Sequence, residues 1–163
     1  MIIMRLFCKT ILVLIVLLSF ESCWYSFSDK PFPEIETLGV IPLENDTPEY
    51  DLASQATDNL TSRLAGSSSY KLASPDAADA LVSGRIVSYN RRVNTYDEAE
   101  DPIDYIVKIQ ARVKFIQRSS DKQLWEQVFE GYAVFPIGGD ENDAKSEAVE
   151  MLTDRIYNKI KSG

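Results

Sequence analysis

The 163-residue chain contains no histidine. That absence removes Ser-His-Asp and Cys-His catalysis and most zinc sites, because each needs an imidazole to carry a proton or hold the metal. Cysteine is almost as scarce. Cys8 and Cys23 are the only two, so nothing beyond residue 23 can form a disulfide or act as a thiol nucleophile. Basic residues are outnumbered, 17 Lys and Arg against 25 Asp and Glu, for a formal charge of −8. Nucleic-acid binding runs on neutralising phosphates, so this balance speaks against a nucleic-acid partner. Long apolar runs are missing as well. Residues 10–20 (TILVLIVLLSF) are the longest uncharged apolar stretch, too short for a hydrocarbon core that takes about 20 helical residues.

What is present at the amino end has the layout of an export signal: Arg5 and Lys9, the apolar run, then Phe20-Glu21-Ser22-Cys23 and a change to polar sequence. One cysteine just behind such a run, with none elsewhere in the mature chain, marks Cys23 as a lipidation site. Several acyl chains, at about 0.8 kcal/mol per buried CH₂, make a stable anchor. Phe20 and Glu21 depart from the usual Leu and small residue before such a cysteine, and the competing reading is an ordinary signal cut elsewhere, leaving a free thiol. Trp24, not Asp, follows Cys23, which by analogy sorts the protein to the outer membrane, on its periplasmic face. The expected organisation is a signal peptide over residues 1–22, a lipidated tether over 23–36 with two prolines, and one domain over 37–163. Removing residues 1–22, with Arg5, Lys9 and Glu21, leaves 141 residues bearing 15 basic and 24 acidic side chains. That is one domain's worth of chain.

Thr37 to Leu43 is β-branched enough for a strand, and Glu44 to Pro48 then reads as a turn. Leu52, Ala56, Leu60 and Leu64 recur every four residues, which predicts a helix with Glu49 and Asp51 in its first turn and Gly66 at its end. After a short extended Tyr70-Lys71-Leu72, three strands follow near residues 80–93, 104–117 and 123–135. The middle one alternates most clearly, with Val107, Ile109, Ala111, Val113 and Phe115 on one face and Lys108, Gln110, Arg112 and Lys114 on the other. A final helix over about 143–160, capped by Asn142 or Asp143, carries Ala144, Ala148, Leu152, Ile156 and Ile160 on one stripe. The fold class expected is α+β: a two-layer sandwich in the order β-α-β-β-β-α, with two helices on one face of a four-stranded mixed sheet. The other face is left open.

Motifs for chemistry are thin. Ser68-Ser69-Tyr70-Lys71 spells Ser-x-x-Lys, but no companion motif of penicillin-recognising enzymes accompanies it. Gly138-Gly139 precedes a helix without Lys or Ser/Thr, and Asp140-Glu141 would repel phosphate. Asp97, Glu98, Glu100 and Asp101 lack calcium-loop spacing and read as a solvated loop. No cofactor and no metal site is expected, and the domain reads as non-enzymatic. A small envelope hydrolase is the enzymatic alternative, and its mark would be two carboxylates facing across a cleft.

Over nearly the whole mature chain the sequence resembles the lipopolysaccharide-assembly lipoproteins of the outer membrane, the E component of the transport machine. The likeness lies in Cys23-Trp24-Tyr25, in Ile35 to Thr47 (IETLGVIPLENDT), in Ala77 to Ile86 (AADALVSGRI), in Lys122-Gln123-Leu124-Trp125-Glu126 and in Glu147-Ala148-Val149. The resemblance implies a non-catalytic lipoprotein that assembles with a large outer-membrane β-barrel, plugs it, and meets lipopolysaccharide on its way to the surface. On the open sheet face, Lys108, Arg112 and Lys114 would then project together, with Arg91 and Arg92 on the next strand and Arg118 and Lys122 at the turn. These seven are the candidate ligand-binding residues, for lipid A phosphates or an acidic barrel wall. Ordinary solvated strand residues are the plainer reading of the same side chains. The alternative function is another periplasm-facing envelope lipoprotein, such as a cell-wall synthase activator or a secretion-channel accessory.

Overall fold

The computed structural model describes residues 31–163. The expected signal peptide, Cys23 and the first part of the tether lie outside the described residues. The elements are β1 (Thr37–Val40), β2 (Glu44–Asn45), α1 (Leu52–Ala65), β3 (Lys71–Leu72), β4 (Ala80–Tyr96), β5 (Pro102–Gln117), β6 (Lys122–Pro136) and α2 (Glu141–Ser162). One mixed sheet runs β3-β1-β4-β5-β6, with β2 also pairing β4. β1 lies parallel to β3 and β4, and β4, β5 and β6 form the antiparallel meander.

This is the expected two-layer α+β class, with two short strands beyond the four anticipated. Glu44 and Asn45, read as turn, pair with Arg85 and Ile86, and Lys71–Leu72 extends the far edge against β1. Extended backbone beside an unpaired strand has orphan N–H and C=O groups to satisfy, so even two residues join the ladder.

The apolar stripes bury as their spacing requires. Leu52, Ala56, Leu60 and Leu64 of α1 and Ala144, Ala148, Leu152, Ile156 and Ile160 of α2 cover Val82, Ile86, Val107, Ile109, Ala111, Val113 and Phe115. Gly131 lets α2 settle on the sheet, because a Cβ there would run into the Ala148 carbonyl and crowd Leu152. Among the described residues, no helix is long and apolar enough to cross a membrane.

Gly66 ends α1 as expected, but the helix starts differ from expectation. α1 has no acid in its first turn, and the Asp51 carboxylate makes no capping bond. Glu49 instead reaches Lys145 on α2, 2.6 Å away, an ion pair between residues 96 positions apart. α2 starts two residues earlier than its pattern suggested: Asp140, rather than Asn142 or Asp143, is the cap and accepts from the Asn142 N–H at 2.8 Å. At the other end of the domain, the segment expected to be tether already packs. Ile35 is fully buried, and the Phe32 ring lies 5.6 Å from that of Phe115.

Candidate functional site

The face of β4, β5 and β6 turned away from the helices is organised in rungs. The cross-strand register gives Ser83–Lys114–Glu126, then Arg85–Arg112–Val128, Ser88–Gln110–Glu130, Asn90–Lys108–Tyr132 and Arg92–Ile106–Val134. Alternation along β5 therefore brings Lys108, Arg112 and Lys114 onto one surface, as the sequence pattern required.

Most of that positive charge is already answered. Lys108 lies 3.4 Å from Glu130, Lys114 4.0 Å from Glu126, and Arg85 2.5 Å from Glu44 and 3.4 Å from Asp46. Gln110 donates to Glu130 at 3.0 Å, and this bond, with the two cations nearby, holds the Glu130 carboxyl below the usual glutamate range. Arg112 is the exception. It stands directly opposite Arg85, a like-charge pair that costs energy unless acids intervene; Glu44 and Asp46 both serve Arg85, and Glu126, which lines the same surface, lies by Lys114. Among the described residues, Arg112 and Arg92 make no ion pair. Arg112, Lys114, Ser83 and Arg85 line a shallow depression of about 300 Å³, closed on one side by Ile41 and Pro42.

The remaining candidates scatter. Arg91 is on the opposite face, a correction to the expected patch. The register shifts between Ile86 and Ser88, so the extra residue Val87 reverses the parity of Ser88 to Val93. Tyr89, Arg91 and Val93 consequently turn to the helix side and Arg92 to the open side. There Arg91 pairs with Glu141 at 3.1 Å and stacks 4.1 Å from the Tyr105 ring centroid. Tyr89 donates to the same Glu141 at 2.5 Å, and burial together with that carboxylate pushes its phenol well above the tyrosine range. Lys145 joins Glu49 and Glu141 in this network, and its hydrogen bond to Glu49 raises its affinity for the proton. Arg118 donates to the Asp76 carbonyl at the β5–β6 turn. Lys122 pairs in register with Gln117 and so shares its side of the sheet, away from the Lys108 row. Cys23 lies outside the described residues.

Arg85 is the site residue that sequence reasoning missed. Its signal was the two-residue spacing from Ser83 within a strand. The same motifs that gave the family likeness prove to build the junction behind it. Asn45 Oδ1 accepts from the Thr47 N–H at 3.0 Å and hydroxyl at 2.8 Å, while its amide donates to the Glu49 carbonyl at 2.6 Å. Asp79 accepts from the backbone N–H of Glu36 and Thr37 and from the Thr37 hydroxyl, at 2.8–3.1 Å. The Thr37 hydroxyl bond leads in holding the Asp79 carboxyl below the usual aspartate range. Asp79 ties β1 to the start of β4, and Asn45 holds the turn that leads from β2, whose pairing with β4 sets Glu44 beside Arg85. Among the described residues, no group of His, Cys, Asp or Glu is arranged to hold a metal ion.

Residues 35–160 match the family model described as LptE, lipopolysaccharide-assembly. No curated protein matches the sequence. Among solved structures, a hypothetical protein from Chlamydia trachomatis aligns with a TM-score of 0.55 at 13% identity, covering 77% of this chain and 93% of that one. PelC from Paraburkholderia phytofirmans, a dodecamer, aligns with a TM-score of 0.51 at 14% identity, covering 78% and 89%. At such identities the likeness is one of fold.

Proposed function

The chain belongs to the LptE lipopolysaccharide-assembly family, whose members are non-enzymatic accessory lipoproteins, and from that membership we propose that it assembles with a large outer-membrane β-barrel, plugs it, and supports lipopolysaccharide insertion at the cell surface. In this reading residues 1–22 are a signal peptide, and acyl groups on Cys23 hold the mature protein on the periplasmic face of the outer membrane. The observation that carries it is the family match from residue 35 to 160, which takes in α1, all six strands and α2 as far as Ile160.

The open sheet face supports the reading. Among the described residues no layer covers one side of the three long strands, which offers a wide contact surface, and Arg112, which makes no ion pair there, supplies a cation at its centre for an anionic ligand or wall. Charge pairs around it keep the face soluble before assembly and orient a partner afterwards.

Mild crosslinking followed by purification of the full-length protein tests the assembly role. A large heat-modifiable barrel should come with it, and its absence sinks the proposal. The intact mass of the mature protein should show an acylated amino-terminal cysteine. Cys23→Ser should release the protein from the membrane fraction; unchanged fractionation would remove the anchor from the account.

A further inference from the structure

The two edges of the sheet differ in length. β3, at one, has 2 residues, while β6, at the other, runs for 15 with no strand beyond it among the described residues. A long free edge presents a row of unpaired N–H and C=O groups, which Lys or Pro usually blunts. Residues 125–135 of β6 contain neither, nor any Arg.

Arg155 reaches this edge from α2. Its guanidinium donates to the Glu130 carbonyl at 2.7 Å and lies 5.6 Å from the centroid of the Tyr132 ring. Tyr132 belongs to the open face and α2 packs on the other, so the side chain passes round the outside of β6. The Glu130 carbonyl therefore points outward. In an antiparallel strand the N–H and C=O of one residue point the same way, and successive residues alternate. The register is unbroken here, so Val128, Tyr132 and Val134 also turn their backbone groups outward, and Phe129, Gly131 and Ala133 turn theirs toward β5. The outward residues carry their side chains on the open face, where Val128 is 46% exposed, Tyr132 38% and Val134 46%. Arg155 covers one carbonyl in the middle of this row and places its charge near the Glu130 carboxylate.

A second copy does not fit the edge. α2 lies directly over Gly131, where a Cβ would run into the Ala148 carbonyl. Two paired β6 strands would stand about 4.8 Å apart, whereas the α2 helices above them need about 8–10 Å. A single extended segment, with no helix of its own over it, escapes that clash. Its side chains would lie beside Val128, Tyr132 and Val134, which calls for apolar residues at alternate positions. Beside Glu130, which loses the charge of Arg155 when the edge opens, a cation is called for.

We propose that the outer edge of β6 is a strand-addition site closed by Arg155, and that it takes an extended protein segment with apolar residues at alternate positions and a Lys or Arg opposite Glu130. Main-chain pairing supplies the affinity, and the alternating side chains supply the selectivity. Arg155 has to leave the Glu130 carbonyl first, which keeps the edge shut toward other extended chains. The inference is independent of the assembly role, since it draws only on β5, β6 and α2.

The test uses the full-length protein and a labelled synthetic nonapeptide of alternating Val and Thr with Lys at its centre. Arg155→Ala should bind it roughly tenfold more tightly than wild type by fluorescence anisotropy, the effect of removing one charged hydrogen bond that competes with pairing. Bound peptide should slow amide exchange at Glu130 and Tyr132, whose N–H groups face outward. Wild type should show the same protection at saturating peptide, which keeps the test decisive if the variant folds poorly. Replacing the central Lys by Glu should weaken binding several-fold, and N-methylating the peptide amides should abolish it. Equal affinity for wild type and a folded Arg155→Ala, indifference to N-methylation, or protection confined to residues outside 128–134 overturns the proposal. A dimer of Arg155→Ala formed without peptide overturns it as well, because the edge would then take a second copy.

Discussion

The two faces of the β4–β5–β6 meander share one backbone and differ in nearly everything else. On the helix side, Val107, Ile109, Ala111, Val113 and Phe115 are fully buried; on the other, Lys108, Arg112 and Lys114 alternate with them in the same strand. Under the proposed function, stability rests on one side of the sheet and recognition on the other. Substitutions on one should leave the property of the other untouched.

The strongest way to sharpen that contrast is Leu152→Ala, which empties a fully buried site on α2. It should lower unfolding free energy by about 2–5 kcal/mol, read by urea denaturation. Barrel recovery from the fraction that remains folded should be normal. Arg112→Glu is its mirror image. It should move stability by less than about 0.5 kcal/mol, since among the described residues the side chain makes no ion pair or side-chain hydrogen bond to lose. Recovery of the barrel should fall by about tenfold, equivalent to about 1.4 kcal/mol. If Arg112→Glu unfolds the protein instead, the division between the faces is wrong.

A smaller effect belongs to two hydrogen-bonded carboxylates, Asp79 at the β1–β4 junction and Asp104 near the β4–β5 turn. The folded-state carboxyls of Asp79 and Asp104 lie below the usual aspartate range, through the Thr37 and Thr95 hydroxyl bonds foremost. A lowered pKa means that the stabilisation is complete above the unfolded-state value and is lost as pH falls through the folded one. Wild-type stability should hence decline between about pH 5 and pH 2, and Asp79→Asn should flatten part of that decline. Parallel acid-unfolding curves for the two proteins would deny Asp79 this role.

Much of the architecture could be read from residue spacing. The α1 stripe from Leu52 to Leu64 and the alternation of β5 needed only the periods 3.6 and 2, which the backbone geometry of each element imposes. Arg91 shows where such reading stops. A strict two-residue period places it with its neighbours on the open face only if β4 has no irregularity, and the bulge at Val87 has no marker in composition. Glu49 is similar. As an acid just before an apolar stripe it suits a helix start, yet Lys145 claims it from the far end of the chain. Local propensity cannot anticipate a partner 96 residues away.

The sequence by itself determined the absence of imidazole chemistry, the two apolar stripes, the alternating strands and the family likeness, because each is a property of residue identity and order. Which cations remain unanswered was decided only in three dimensions. Arg85 and Arg112 face each other across a ladder, and Glu44 and Asp46, brought alongside by β2, neutralise the first and leave the second. Charge compensation acts over a few ångströms of space and is blind to distance along the chain.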